Sequence, residues 1–270
     1  MEKKFEKLEN FKTAIGSTVK SLSNYENIEI SFGNQNIKSE KVSVKLPEIR
    51  QINNKINYNQ IRAVADSESL KLRFSNNKIL QHHEPQGNIS KKLYKIAEKI
   101  RFEKLGSIQF KGVKTNIEKY YQERINSLDL KSSENQIIES FENYLRVKFL
   151  DTKNTKELDK KFKSYKKDLD EKFKEKIEHL NNLTHDQSQY NSLVSNLISN
   201  MSLDENLEEE EKNDDTKDEK QKNSQNQDQK VEEKDKEKQE MSIDSGVPDL
   251  ENEASESDQD GEEVEIEDKS

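Results

Sequence analysis

The chain has no cysteine in its 270 residues. It can form no disulfide, offer no thiolate nucleophile and build no zinc site on sulfur. Glycine is scarce, at seven residues, which leaves little material for a phosphate-cradling loop. No P-loop, GxGxxG, HExxH or GxSxG pattern occurs. Nor does any run approach the roughly 18 consecutive apolar residues that a membrane span needs. The opening MEKKFEKLENFK alternates charge and lacks the apolar segment of a secretory signal. These absences predict a cytoplasmic location, with no membrane among its partners.

What is present is distributed unevenly. Apolar residues make up 29% of the chain and charged ones 37%, but residues 201–270 hold 28 acids against 9 bases, a net of −19. The remainder holds 27 acids and 37 bases, a net of +10. All 18 Phe and Tyr precede residue 201. The composition predicts a foldable domain over 1–200 and a disordered acidic tail over 201–270, which lacks the apolar material for a core. Within the tail, MSIDSGVPDL is a faint apolar island suited to docking on a partner.

In the first part, Phe5, Leu8, Phe11, Ile15, Val19 and Leu22 recur three or four apart and predict an amphipathic helix. NIEISF and KVSVKL then alternate with period two, and the polar GNQNIKSE between them predicts a β-hairpin closed by Pro47. From Tyr58 to about residue 200 the period is helical. Ile89, Leu93, Ile96 and Ile100 mark one helix, for which Gly106 is a suitable stop. Thr115–Glu118, Ser133–Gln136 and Thr184–Gln187 match the capping-box spacing before apolar stripes. The longest stripe, from Leu158 to Leu180, predicts one long helix: a coiled-coil arm or, as the favoured reading, an amphipathic helix packed on its neighbours. The fold class is mainly α, with a small N-terminal β-hairpin.

Few residues offer chemistry. His82, His83 and Glu84 are candidate metal ligands by type, but adjacent side chains diverge, whereas zinc ligands are usually separated or spaced i, i+4. The segment reads instead as a Pro85–Gly87 turn, a helix capped by Asn88 or Ser90, and solvated histidines. Glu98 and Arg101 are i, i+3 neighbours and read as a surface ion pair, with Glu103 pointing elsewhere. Lysines alternate with acids and form no stripe, which argues against nucleic acid as a partner.

The order of several short motifs is more specific. Arg62 and Asp66 form R-x-x-x-D; Pro85, Gln86 and Gly87 form PQG; Arg101, Glu103 and Gly106 form R-x-E-x-x-G. Gly112, Val113 and Asn116 fit G-V-x-x-N, and Leu183, Thr184, Asp186 and Gln187 fit L-T-x-D-Q. This collinear series, over roughly residues 8–200, resembles the N-terminal half of the CobT subunit family of aerobic, ATP-dependent cobaltochelatase. The resemblance implies a non-catalytic subunit, similar to the D subunit of magnesium chelatase. It would assist Co²⁺ insertion into hydrogenobyrinic acid a,c-diamide during cobalamin synthesis.

The implied partners are an AAA+ ATPase subunit (CobS-like) and a large macrocycle-binding subunit (CobN-like). ATP, Mg²⁺ and Co²⁺ are used by that complex, and no cofactor is expected on this chain. Arg62, Asp66, Arg101 and Glu103 are the positions to test for family-specific contacts, with burial in an internal ion-pair network as the other account. Two departures stand out. Family members carry histidines at the places of Ser75 and Leu80. They also continue into a von Willebrand A-type domain with a D-x-S-x-S loop, whereas IDSGVPD places Gly246 where its first serine would be needed, so the chain is expected to stop inside the linker. An adaptor for a MoxR-like AAA+ ATPase, without a cobalt role, is the alternative.

Overall fold

A computed structural model describes residues 2–33, 42–49, 51–52, 55–126, 128, 132–154 and 156–201. The tail expected over 201–270 lies outside the described residues from 202 onward. The described chain is mainly helical: α1 (Glu2–Ser23), α2 (Tyr58–Phe74), α3 (Asn77–His82), α4 (Asn88–Gln109), α5 (Lys111–Asn126), α6 (Ser133–Leu150), α7 (Lys156–Lys161), α8 (Lys163–Phe173), α9 (Ile177–Asn182) and α10 (Gln187–Ser199). Four short strands lie between α1 and α2: β1 (Glu29–Phe32), β2 (Ser43–Leu46), β3 (Gln51–Ile52) and β4 (Lys55–Ile56).

α4 is the central helix and packs against α2, α5, α6 and α10. On one side Leu93, Tyr94, Ala97 and Ile100 meet Phe141, Leu145, Leu169, Phe173, Tyr190 and Val194 in the largest apolar core. On the other, α1 and the strands cover α2 through Ile15, Val19, Ile28, Val44, Leu46 and Ile61. Leu70, Phe102, Val113 and Ile117 fill the space between α2, α4 and α5.

β1 and β2 are paired as expected, but in parallel, with Ile30 opposite Val44 and Phe32 opposite Leu46. The predicted hairpin is therefore corrected. Alternation fixes which face of a strand is buried and leaves the strand's direction open. Both strands lay their apolar residues on α1 and α2, and a parallel pair satisfies that as well as a hairpin does. A small antiparallel pair exists further on, between β3 and β4.

Five helix boundaries also differ. α4 runs through Gly106 to Gln109. Gly106 is buried, and a Cβ there would run into the side chain of Leu70, so this glycine allows α2 and α4 to approach closely. Thr115 lies inside α5, donating to the Lys111 carbonyl. The caps of α6 and α10 are Ser132 and Asp186, accepting from the amides of Asn135 and Gln189. Gly87 (φ 91°) occupies the N-cap position of α4, where neither Asn88 nor Ser90 caps it.

The stripe from Leu158 to Leu180 is one face but three helices, α7 to α9, so no long arm forms. Leu158 and Phe162 pack on Tyr121 and Ile125, whereas Leu169, Phe173 and Leu180 belong to the core around α4 and α6. The chain changes partners and must bend at Phe162 and again at 174–176.

Candidate functional site

The polar residues singled out by the sequence converge on buried tie points between helices. Arg101 is 1% exposed and its guanidinium is held on every side. Nε and Nη2 donate to the two carboxylate oxygens of Glu98, at 2.8 and 2.9 Å. Nη2 also donates to the Phe74 carbonyl (2.6 Å), and Nη1 to the Thr184 carbonyl (2.9 Å). Phe74 is the last residue of α2, whose terminal carbonyls have no partner within the helix. Arg101 supplies both the missing donor and a cation at the negative end of that helix. The surface pair expected for Glu98 and Arg101 is thus a buried one.

Glu98 Oε1 further accepts from Ser75 Oγ (2.6 Å) and Gln187 Nε2 (3.0 Å). Gln187 reaches from the first turn of α10, and its Oε1 accepts from the Asn76 amide at 2.8 Å. One carboxylate and one guanidinium thereby join the ends of α2 and α9 and the starts of α3 and α10 to the middle of α4.

A second cluster lies further along α4. Glu103, 1% exposed, accepts from Ser67 Oγ (2.7 Å) on α2 and Arg146 Nη1 (2.9 Å) on α6. Arg146 also donates to Glu142, which accepts from Arg124 of α5, and Arg124 forms a two-pronged pair with Glu139. Tyr121 lies beneath both cations, 4.6 Å from the Arg146 guanidinium and 5.6 Å from that of Arg124. It donates to Asn143 Oδ1 at 3.1 Å.

The charges are unequal, with three carboxylates around two guanidiniums. Burial alone would raise the Glu142 carboxyl, but Arg124, Arg146 and Lys99 outweigh it and hold it below the ordinary range. Glu139 is pushed upward by burial and by Glu142, against the pull of Arg124. Burial opposes the charge on Arg124 and Arg146, yet the neighbouring glutamates more than offset it.

Asp66 is 3% exposed on α2 and accepts from Asn116 Nδ2 of α5 at 2.8 Å. Burial raises its carboxyl above the ordinary 3.8, although the Asn116 bond and Arg62 oppose the shift. Arg62 is exposed, with its guanidinium 5.6 Å from the Phe11 ring. Of the four positions singled out, three are therefore interior and one is on the surface.

The His82 and His83 rings meet edge to face, with centroids 4.8 Å apart, but Glu84 does not join them in a ligand set. His82 is exposed, His83 Nε2 lies 3.1 Å from Ser188 Oγ, and Glu84 faces Lys91 and Lys95 of α4. Among the described residues, no group of three or more His, Asp or Glu is arranged to hold a metal ion. No described helix is long and apolar enough to cross a membrane.

A family model described as "Cobalamin biosynthesis protein CobT" matches residues 6–270. The chain belongs to the CobT family. Comparisons with curated proteins and with solved structures give no match. Four of the five motifs on which the resemblance rests, scattered over more than a hundred residues, meet in two pairs. R-x-x-x-D joins G-V-x-x-N through Asp66 and Asn116, and R-x-E-x-x-G joins L-T-x-D-Q through Arg101, Thr184, Glu98 and Gln187. Ser75, where the resemblance implied a histidine, is a donor in the Glu98 cluster.

Sequence reasoning missed the second cluster beyond Glu103. A signal existed: Glu139, Glu142 and Arg146 sit at i, i+3 and i, i+4 spacing beside the apolar Ile138, Phe141 and Leu145. Ionic residues bordering an apolar stripe on the same helix need partners when that face is buried.

Proposed function

We propose that this chain is a non-catalytic subunit of ATP-dependent cobaltochelatase, assisting insertion of Co²⁺ into hydrogenobyrinic acid a,c-diamide. Membership of the CobT family gives the role in cobalamin biosynthesis. The observation that carries the non-catalytic reading is how the signature side chains are used. Arg101, Glu98 and Glu103 spend their charges on other helices and on backbone carbonyls. A buried charge that already has its full complement of partners has nothing to offer a substrate, and withdrawing it would cost several kcal/mol on the order of a broken buried ion pair.

The chain acts by docking. An AAA+ ATPase subunit of the CobS type supplies ATP hydrolysis with Mg²⁺, and a large CobN-type subunit holds the macrocycle and receives Co²⁺ as substrate. The helical domain transmits the ATPase's conformational change, and Arg62, exposed on α2 over Phe11, contributes to the docking surface.

Association with the ATPase subunit tests this. The native chain should co-elute with it in size-exclusion chromatography, and Arg62→Glu should weaken the complex while leaving the thermal midpoint of the chain unchanged. Failure of the native chain to bind either subunit would overturn the reading. Binding to an ATPase with no support of cobalt insertion would favour the adaptor role.

A further inference from the structure

Tyr25, at 42%, and Ile108, at 65%, are the two large apolar side chains left exposed among the described residues. They lie far apart in the sequence, yet both adjoin the surroundings of one arginine. Arg73, exposed near the end of α2, has its guanidinium 5.6 Å from the rings of both Phe74 and Phe110. Its Nη1 donates to the Leu22 carbonyl at 3.1 Å. Tyr25 follows three residues after Leu22, and Ile108 stands two residues before Phe110. From Arg73 toward the turn before α10 the surface sinks into a shallow cleft of about 500 Å³, walled by Phe74, Ile79 and Leu105. Ile108 continues the stripe of α4 that lines this cleft, three residues after Leu105 and seven after Arg101.

Arg73 is oriented without being neutralised. Two rings and one carbonyl hold it, and no ion pair joins it to a carboxylate among the described residues. Nε and Nη2 are thus left for an acceptor from outside, which a carboxylate can meet in a two-pronged pair. The acids beside the patch do not answer it. Asp186 is engaged with the amide and side chain of Gln189, and the exposed Glu26 makes no ion pair with Arg73. Arg101, at the floor of the cleft, is spent on Glu98 and two carbonyls. Tyr and Phe around an arginine is the composition of the centre of a protein–protein interface. Stacking fixes the Arg73 side chain beforehand, so little rotamer freedom is lost when it is engaged.

We propose that this patch docks a segment of a partner protein in which an Asp or Glu stands beside a large apolar side chain. The carboxylate pairs with Arg73, and the apolar side chain enters the cleft against Phe74, Ile79 and Leu105. Tyr25 and Ile108 do not line the cleft, so a small carboxylate seated there would leave them bare, whereas a polypeptide covers them. The surface is separate from that of Arg62, which precedes Arg73 by eleven residues on α2, about 16 Å along the helix. The proposal goes beyond the subunit role and holds whichever complex the chain serves.

Selection of phage-displayed random 12-residue peptides on the immobilised full chain tests this. Enriched peptides should carry Asp or Glu within two positions of Leu, Ile or Phe. Their synthetic, fluorescein-labelled forms should bind Arg73→Glu about tenfold or more weakly than the native chain in anisotropy titrations. Ile108→Ser should weaken binding about threefold or more. That side chain is already exposed, so the thermal midpoint should not move, and this result stands even where Arg73→Glu perturbs folding. Lys167→Glu on α8 should bind as the native chain does. Enrichment of basic peptides, or of none, would overturn the proposal, as would equal binding by the native chain and Ile108→Ser. An equal loss in Lys167→Glu would mean diffuse attraction and also overturn it. So would displacement of the peptides by an equimolar 12-nucleotide single strand, which would assign the patch to nucleic acid.

Discussion

The Arg101 cluster and the Arg146 cluster are both buried against α4, yet they are built on different terms. Around Arg101 there is one cation and one carboxylate, and the other acceptors are backbone carbonyls at helix ends. Around Arg146 and Arg124 the guanidiniums donate to the carboxylates of Glu103, Glu139 and Glu142, and within this cluster the acids outnumber the cations. The first depends on the shape of a guanidinium fork at fixed carbonyl positions. The second depends on charge balance, and it responds to pH. Three residues of the first cluster, Arg101, Thr184 and Gln187, fall in the motifs on which the resemblance rests, and Ser75 at a position it singled out, whereas the second was visible only through Glu103. A motif can therefore mark a place where chain ends are pinned as readily as a place where chemistry happens.

Removing a cation should cost most in either cluster. Arg101→Met and Arg146→Met leave Glu98 or Glu103 buried without a cationic partner, and the second also takes from Glu142 one of its two arginines; each should lower unfolding free energy by about 3–5 kcal/mol in urea titrations. A cost below about 1 kcal/mol for either would mean that the cluster is wet and weakly coupled.

Lysine replacements separate the two designs. Arg101→Lys keeps the charge but cannot reach two carbonyls and a carboxylate together, so a loss of about 2 kcal/mol is expected. Arg124, whose side chain is 21% exposed, pairs with two carboxylates and ties up no helix-end carbonyl of the Arg101 kind, so Arg124→Lys should cost about 1 kcal/mol or less. Equal costs at the two positions would erase the distinction.

Gly106→Ala tests the closeness of α2 and α4, on which both clusters rely. The new methyl meets Leu70. An overpacking cost of about 1–3 kcal/mol is offset in part by the better helix propensity of alanine, up to about 1 kcal/mol. A net loss should appear in thermal melts, and Leu70→Ala in the same chain should recover part of it.

The smallest effect is in pH dependence. Asp66 has a folded-state pKa above its ordinary 3.8 because it is buried. Between those two values the folded chain keeps a proton that the unfolded chain has lost, so stability falls as pH rises through the window. Asp66→Asn removes that slope. Glu142 is depressed by its arginines and acts in the opposite sense, since its contribution is lost as pH falls through its folded value. The difference in stability between native and Asp66→Asn chains, measured against pH, isolates the first effect. A flat difference would place Asp66 in a more solvated setting.

The helices were legible because their apolar stripes are regular: Ile15 to Leu22, Ile89 to Ile100 and Phe141 to Leu145 all face a core. What the sequence left open follows from physics that a stripe does not encode. The 158–180 stripe continues through two bends because a periodic face does not reveal that its neighbour changes from Tyr121 to Phe141. Gly106 reads as a stop by residue type, but its place is set by Leu70, 36 positions earlier. The parallel β1–β2 pair differs from a hairpin in the direction of β2 and its ladder, which depend on the path of a connection, part of which lies outside the described residues. At the candidate site, Arg62, Asp66, Arg101 and Glu103 were found through the order of motifs. Their burial, and the partners Arg146, Arg124 and Asn116, depend on which helix faces which.

The central claim is that this chain stores its charges in its own architecture and acts through other subunits. The most direct test supplies the purified chain with ATP, Mg²⁺, Co²⁺ and the macrocycle, and follows phosphate release and the metallated product by absorbance. Alone it should yield neither, and with both the ATPase and the macrocycle-binding subunits present, product should form only when the chain is added. Nucleotide hydrolysis or cobalt insertion by the solitary chain would contradict the account.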